Sequence, residues 1–295
     1  MAATKTPKPP ARAARHSHAS RRGRAPRGGW RTAATSDPLD LYERSVQEPE
    51  AEIDFIDRAF KERRGRLPRT LREDFCGTAY ASCTFVKRRA GNHALGVDLC
   101  RRTLEWGLQR HGLALTPAQR KRMQFVQGDV RDTGTTPVDV LSAMNFSYYI
   151  FKTRASLLEY LRAAFENVAP GGIIAMDAYG GHESFSVQSE TRDLDGFTYV
   201  WDTEKYNPIS GEVLNHIHFR FPDGTELRKA FTYDWRLWTL PEITEALEDA
   251  GFVRPAVYWE GTARDGSGNG VFRRAKVGEA CAGWIAYIVA ERPKR

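Results

Sequence analysis

Apolar residues change their spacing near residue 180, and that change divides the chain into two kinds of element. Ile53, Phe55, Ile56, Ala59 and Phe60 recur at helical spacing until Gly65 and Pro68 interrupt, which predicts a helix ahead of the first strand. Short apolar runs then alternate with amphipathic stretches. They predict a strand near 69–74, a helix near 78–89, the strand "HALGVD", a helix near 101–111, the strands "MQFVQGD" and "VDVLSAM", a helix near 154–168 and the strand "GIIAMDAY". The last of these helices carries Leu157, Leu161, Ala164, Phe165 and Val168 on one face, and "PGG" at 170–172 ends it. Such alternation predicts an α/β fold, a parallel sheet with helices on both faces.

Beyond residue 180 a period of two takes over. Phe197, Tyr199 and Trp201 alternate with other residues, as do Val213, Ile217, Phe219 and Phe221 after the turn-rich "NPISG", and Phe231, Tyr233 and Trp235 after "PDG". Three antiparallel strands are expected, an addition at about 181–235. Thr239 and Glu242 form a capping box for a helix carrying Ile243, Ala246, Leu247 and Ala250, which Gly251 ends. Strands near 255–259 and 282–290 complete the pattern. The glycine-rich "GTARDGSGNG", residues 261–270, reads as a mobile surface loop and lacks the lysine and spacing of a P-loop.

Composition changes this picture at one end only. Nine of the 44 lysines and arginines fall within residues 1–36, which contain no acid, so the remaining 35 stand against all 37 acids and the rest of the chain carries about −2. With Pro9, Pro10, Pro26, Gly28 and Gly29 among Ala, Ser and Arg, residues 1–36 are expected to be a disordered basic tail, with residues 37–295 as one domain. No apolar run approaches the roughly 18 residues of a membrane helix, and the N-terminus lacks a secretory apolar segment, so a cytoplasmic location is expected. Cys76, Cys83, Cys100 and Cys281 form neither a metal-binding pair nor a disulfide framework. His216 and His218 share a strand face, but no third ligand is placed by spacing; with Arg220 they read as a solvated face, and no metal site is expected.

In a doubly wound sheet the ligand lies beyond the carboxyl ends of the strands, so the first strand-to-helix turn, "EDFCGTA", is the place to look. Gly77 lets the backbone pass close to a ligand. Asp98 ends the second strand, where an acid can accept both hydroxyls of a ribose, and Asp129 ends the third in "QGDV", where it can meet an adenine amino group while Val130 packs on the ring. The fourth strand ends in "MNFSYY". There Asn145 offers an amide carbonyl to an amine and Tyr148 a ring face to a cation, although the same stretch also reads as a turn-capping Asn followed by tyrosines packed under the sheet. "DWRLW" brings Arg236 toward the crevice if the antiparallel strands form a lid; otherwise Trp235 and Trp238 belong to the core.

In this order, "EDFCGTA", "LGVDL", "QGDV", "APGG" before the fifth strand and the terminal strand "GWIAYIVAER" resemble the class I S-adenosylmethionine-dependent methyltransferases over about residues 37–290. The resemblance implies a Rossmann-like, seven-stranded methyltransferase sheet with an antiparallel β insertion as lid. It implies S-adenosylmethionine as cofactor, held by Glu73, Phe75, Cys76, Gly77 and Thr78 of the first loop, Asp98 and Leu99 of the second, Asp129 and Val130 of the third, and Asn145. Where that family carries its outer glycines, this chain has Phe75 and Ala79; a cofactor without a pyrophosphate tolerates that better than a dinucleotide does. The plan is similar to small-molecule N-methyltransferases of the glycine and amino-sugar kind. An amine acceptor is therefore expected, with a hydroxyl as the second choice, Asn145 and Tyr148 catalytic and Tyr148 and Arg236 touching the substrate. Two other readings stay open: a nucleic acid or ribosomal substrate brought by the basic tail, against which stands the folded part's lack of excess positive charge, and a catalytically inactive cofactor-binding scaffold.

Overall fold

A computed structural model describes residues 31–263 and 268–294. Two helices, α1 (Pro38–Val46) and α2 (Pro49–Arg64), precede the first strand. Asp37 caps α1 by accepting from the amides of Leu39 and Asp40, and Gly65, at φ +70°, closes α2. Then follow β1 (Thr70–Asp74), α3 (Tyr80–Arg88), β2 (His93–Asp98), α4 (Arg101–Gly107), α5 (Pro117–Arg120), β3 (Met123–Gln127), β4 (Val138–Ala143), α6 (Arg154–Asn167) and β5 (Val168–Gly180). The second half holds β6 (Ser189–Leu194), β7 (Phe197–Asn207), β8 (Glu212–Arg220), β9 (Glu226–Arg236), α7 (Leu240–Asp249), β10 (Val253–Thr262), β11 (Gly268–Ala275) and β12 (Trp284–Glu291).

The main sheet runs β3-β2-β1-β4-β5-β12-β10-β11. Its first five strands are parallel, and β12, β10 and β11 are each antiparallel to their neighbours. Strand order reverses at β1, which lies between β2 and β4, and so a crevice opens beyond its carboxyl end. The sheet has eight strands rather than the expected seven. Part of the glycine-rich stretch expected as a loop is β11, paired with β10 from Val257 to Thr262, and its residues 264–267 lie outside the described residues.

The antiparallel addition is a separate sheet in the order β6-β7-β8-β9, with four strands where apolar alternation predicted three. The extra strand, β6, has the sequence SETRDL and is largely exposed, so it carries no apolar alternation to read. On this sheet His216 and His218 are buried, not solvated: His216 bonds Thr232 and Glu204, and the ring of His218 accepts from the amide of Lys229. No group of metal-binding side chains occurs among the described residues. The expected tail lies outside the described residues up to residue 30. Its last six residues are docked: Arg31 pairs with Asp40 and lies over the ring of Phe197, and the amide of Ala33 donates to Thr225.

One face of the main sheet packs on α2 and α3, through Leu71, Val140, Ile173, Ala175 and Val289. The other packs on α6 and α7, through Leu141, Ile174, Met176 and Ile288. Side chains alternate between faces along a strand, so Glu73, Ser142, Asp177 and Tyr287 fall in phase with the α2 face. No described helix is long and apolar enough to cross a membrane.

Candidate active site

The loop after β1, "FCGTA", passes through the left-handed region at every second residue: Phe75 at φ +56°, Gly77 at +54° and Ala79 at +55°. Only glycine adopts this conformation freely, and each of the other two costs about 1–2 kcal/mol. The surroundings hold the shape. The ring of Phe75 packs on Tyr160 and Phe151, the amide of Cys76 donates to the Val97 carbonyl, and Ala79 is wholly buried. Two glycines elsewhere let this loop settle. A Cβ on Gly96 of β2 would lie 2.8 Å from the Cys76 sulfur, and one on Gly107 of α4 would lie 2.1 Å from the Thr78 carbonyl oxygen. Gly107→Ala must therefore shift the loop backbone itself. A loss of about 1–3 kcal/mol in unfolding free energy is expected in a urea titration.

The individual residues are placed as follows. Asp98 accepts from the Gly77 amide (2.8 Å) and the Cys100 amide (2.7 Å), which joins the first and second loops. Each of its oxygens keeps a lone pair for a hydroxyl donor. Leu99, 70% exposed, presents an apolar face beside it. Glu73 is buried, and one of its oxygens accepts from both the amide and the hydroxyl of Ser82 in the first turn of α3. Burial pushes its carboxyl up to about 7 against those two bonds, with Asp98 and Asp74 adding to the rise. Cys76 and Thr78 are buried. The Thr78 hydroxyl donates to Glu43 of α1, whose same oxygen bonds His111, and Tyr80 stacks on that imidazole at 4.2 Å. The side chain of Thr78 is thus committed to α1, not to a ligand.

Three expectations need correction. Val130 is buried in the core, whereas Leu99 beside Asp98 is exposed. Tyr148 is wholly buried, with its hydroxyl donating to the Asp177 carbonyl at 2.6 Å and its ring edge-on to Tyr149, and it presents no ring face to an acceptor. Arg236 is tied to Glu242 (2.8 Å), lies over Trp238 at 3.7 Å and donates to the Lys152 carbonyl. Trp235 and Trp238 are core residues. Asp129 stays at the loop, but both its oxygens are engaged by Arg131, which holds its carboxyl below the usual range.

Phe146, Asp177, Arg72, Tyr42 and Glu52 carry no site signal in the sequence. Asn145 and Phe146 are consecutive left-handed residues, at φ +59° and +56°. Their amides donate to the two carboxylate oxygens of Asp177, each at 2.8 Å. Burial pushes that carboxyl up to about 7, against the pull of the two amides. The Asn145 turn is thus held from β5 by an acid in the middle of an apolar run. Behind the first and third loops lies another pair. Arg72, wholly buried on β1, donates to Asp74 (2.6 Å) and to the carbonyls of Thr133 and Val130, while Tyr160 donates to the other Asp74 oxygen. The last groups are Tyr42 of α1 and Glu52 of α2. Burial pushes the Tyr42 phenol up to about 12, opposed by its bond to Tyr233 and aided by Asp177, Asp98 and Glu52.

No protein-family model matches the sequence, and no curated protein does. Solved structures do. The chain is similar to an S-adenosylmethionine-dependent methyltransferase from Clostridium acetobutylicum at a TM-score of 0.64 and 14% identity, over 86% of this chain and 97% of that one. It is similar to DesVI from Streptomyces venezuelae at 0.63 and 20%, over 88% and 99%, and to a sugar N-methyltransferase from Streptoalloteichus sp. at 0.60 and 18%, over 94% and 100%. At such identities the likeness is one of fold, and it agrees with a strand order that reverses at β1 and ends in antiparallel strands. The chain has the class I methyltransferase fold, Rossmann-like, with an antiparallel β addition.

Proposed function

We propose that the protein is an S-adenosylmethionine-dependent methyltransferase acting on a small-molecule amine, with residues 37–295 as its methyltransferase domain. The observation that carries this reading is the loop of Phe75, Gly77 and Ala79, left-handed at all three positions where the family carries glycine and joined through the Gly77 amide to Asp98. The residues fit the cofactor chemically. Asp98 would accept the ribose hydroxyls and Leu99 would cover the adenine face. The cofactor would supply a methyl on a sulfonium, whose positive charge suits a pocket where Glu73 and Asp177 have no cationic partner among the described residues. The chain's own work is to hold the acceptor in line with that methyl, keep water out and leave the nitrogen with a free electron pair.

The amine rests on two supports. The pocket is acidic, and the similar structures include proteins described as an amino pentose methyltransferase and a sugar N-methyltransferase. Asp98→Ala should weaken binding of S-adenosylhomocysteine by about 1.5–3 kcal/mol, the value of hydrogen bonds to a charged group. Isothermal calorimetry on the folded variant checks this, and equal affinity would remove Asp98 from the site. If the unaltered protein binds no S-adenosylhomocysteine, the reading itself fails.

A further inference from the structure

Glu52 lies in the first turn of α2, and the run of that helix decides where its side chain can reach. At its far end Arg64 pairs with Glu291 and donates to the Gly171 carbonyl. Glu291 is paired with Ile173 near the start of β5. The helix therefore runs opposite to the parallel strands, and its first turn stands over their carboxyl ends. Glu52 precedes the buried Phe55 and Ile56 by three and four residues, so it shares their inward stripe. Beneath it the α2 face of the sheet carries Glu73 on β1, Ser142 on β4, Asp177 on β5 and Tyr287 on β12. Glu73 and Ser142 are cross-strand partners, which sets their side chains next to each other.

Two polar groups on these facing elements lack a hydrogen-bond partner. The Ser142 hydroxyl is wholly buried, and so is one carboxylate oxygen of Glu52. Buried polar groups are almost always paired, so two orphans converging from different elements mark a place where a polar ligand belongs. Among the described residues none of Glu52, Glu73 and Asp177 has a cationic partner. A cluster of carboxyls without a cation destabilises the empty protein and favours a cationic ligand.

We propose that Glu52 is a catalytic residue of this site, binding the ammonium of the acceptor amine and taking one proton from it. This rests on the methyltransferase reading above. The proton passes from nitrogen to the Glu52 carboxylate, and the freed electron pair on nitrogen forms the new bond to the methyl carbon. The electrons of the broken carbon–sulfur bond stay on sulfur. Burial pushes the Glu52 carboxyl well above its ordinary value, with Glu73 and then Asp177 adding to the rise, which favours its taking up a proton. The other titratable groups facing it are Tyr42 of α1 and Tyr287 of β12.

A test that needs no known acceptor uses two cofactor analogues. Sinefungin carries an ammonium on the carbon that replaces sulfur, while S-adenosylhomocysteine has no charge there. By calorimetry at pH 8 the unaltered protein should bind sinefungin at least about tenfold more tightly, as expected for a hydrogen-bonded ion pair. In Glu52→Gln the two affinities should converge, with that for S-adenosylhomocysteine unchanged. The preference of the unaltered protein should also fade on acidification, as the carboxyl takes up its proton, a trend Glu52→Gln should lack. Thermal stability gives a second reading. A carboxyl raised in the folded state stabilises below its unfolded value and loses that contribution as the pH rises, so Glu52→Gln should gain melting temperature over the unaltered protein at pH 8 but not at pH 4. An unchanged affinity ratio overturns the proposal while leaving the methyltransferase reading intact. Equal loss of both affinities also overturns it, by assigning Glu52 to the cofactor. Failure of the unaltered protein to bind either analogue defeats the underlying reading instead.

Discussion

Arg72→Met should lower the unfolding free energy by about 3–5 kcal/mol, the cost of leaving a buried charge without its partner. Arg72 and Asp74 are shielded from water on the α6 face, and the guanidinium also holds the Val130 and Thr133 carbonyls. Burial already pushes the Asp74 carboxyl up to about 6 in spite of Arg72, and losing the arginine removes the main force that keeps it charged. The double variant Arg72→Met with Asp74→Leu should recover much of the loss, because it removes both charges and fills the space with apolar atoms. Urea titrations of the single and double variants measure the difference. A loss below about 1 kcal/mol in Arg72→Met would mean that the pair contributes no more than a surface ion pair does.

Asp177→Ala has the second largest expected effect. Two amides at left-handed residues would lose their acceptor at once, at about 1.5 kcal/mol or more each, so a loss near 3 kcal/mol is expected. For a chain of this size that lowers the melting temperature by roughly 5 °C. Asp177→Asn keeps one acceptor oxygen and should fall between the two. Its pH dependence follows from burial, which raises the folded carboxyl to about 7 from an ordinary value of 3.8. The proton-bound folded form is the favoured one, so the stability this group contributes is full below about pH 4 and lost as the pH rises through 7. The gap in melting temperature between Asp177→Asn and the unaltered protein should therefore narrow between pH 5 and pH 8. A gap that widens would show that the two amides outweigh burial.

The parallel half of the fold was legible because its strands are apolar runs between helices with clear stripes, and "LGVD" and "QGDV" punctuate their ends. Strands β6 and β11 were not. One is a polar edge strand, and the other hides in glycines that look like a loop. The same division holds at the proposed site. Gly77, Asp98 and Leu99 follow strands directly, so position alone points to them. Asp177 sits inside "GIIAMDAYG" and Glu52 inside "PEAEIDF", where one reads as a defect in an apolar strand and the other as ordinary polar surface of a helix. Only the register of β4 on β5 and the direction of α2 bring them together. Tyr148 and Arg236 failed for the opposite reason. Their residue types suit a binding site, but the packing of Tyr149, Trp235 and Trp238 claims that space for the core.

The loop of Phe75, Gly77 and Ala79 shows that a recognition motif can reside in handedness instead of letters. A pattern that demands three glycines finds one here, while the backbone is left-handed at all three positions. The chirality of a side chain raises the cost of such a turn without forbidding it, provided the neighbours bear that cost, as Gly96 and Gly107 do by yielding room. Loops of this shape hidden from letter-based comparison should then be recoverable by scanning coordinates for alternate positive φ between a strand and a helix, whatever residues occupy those positions.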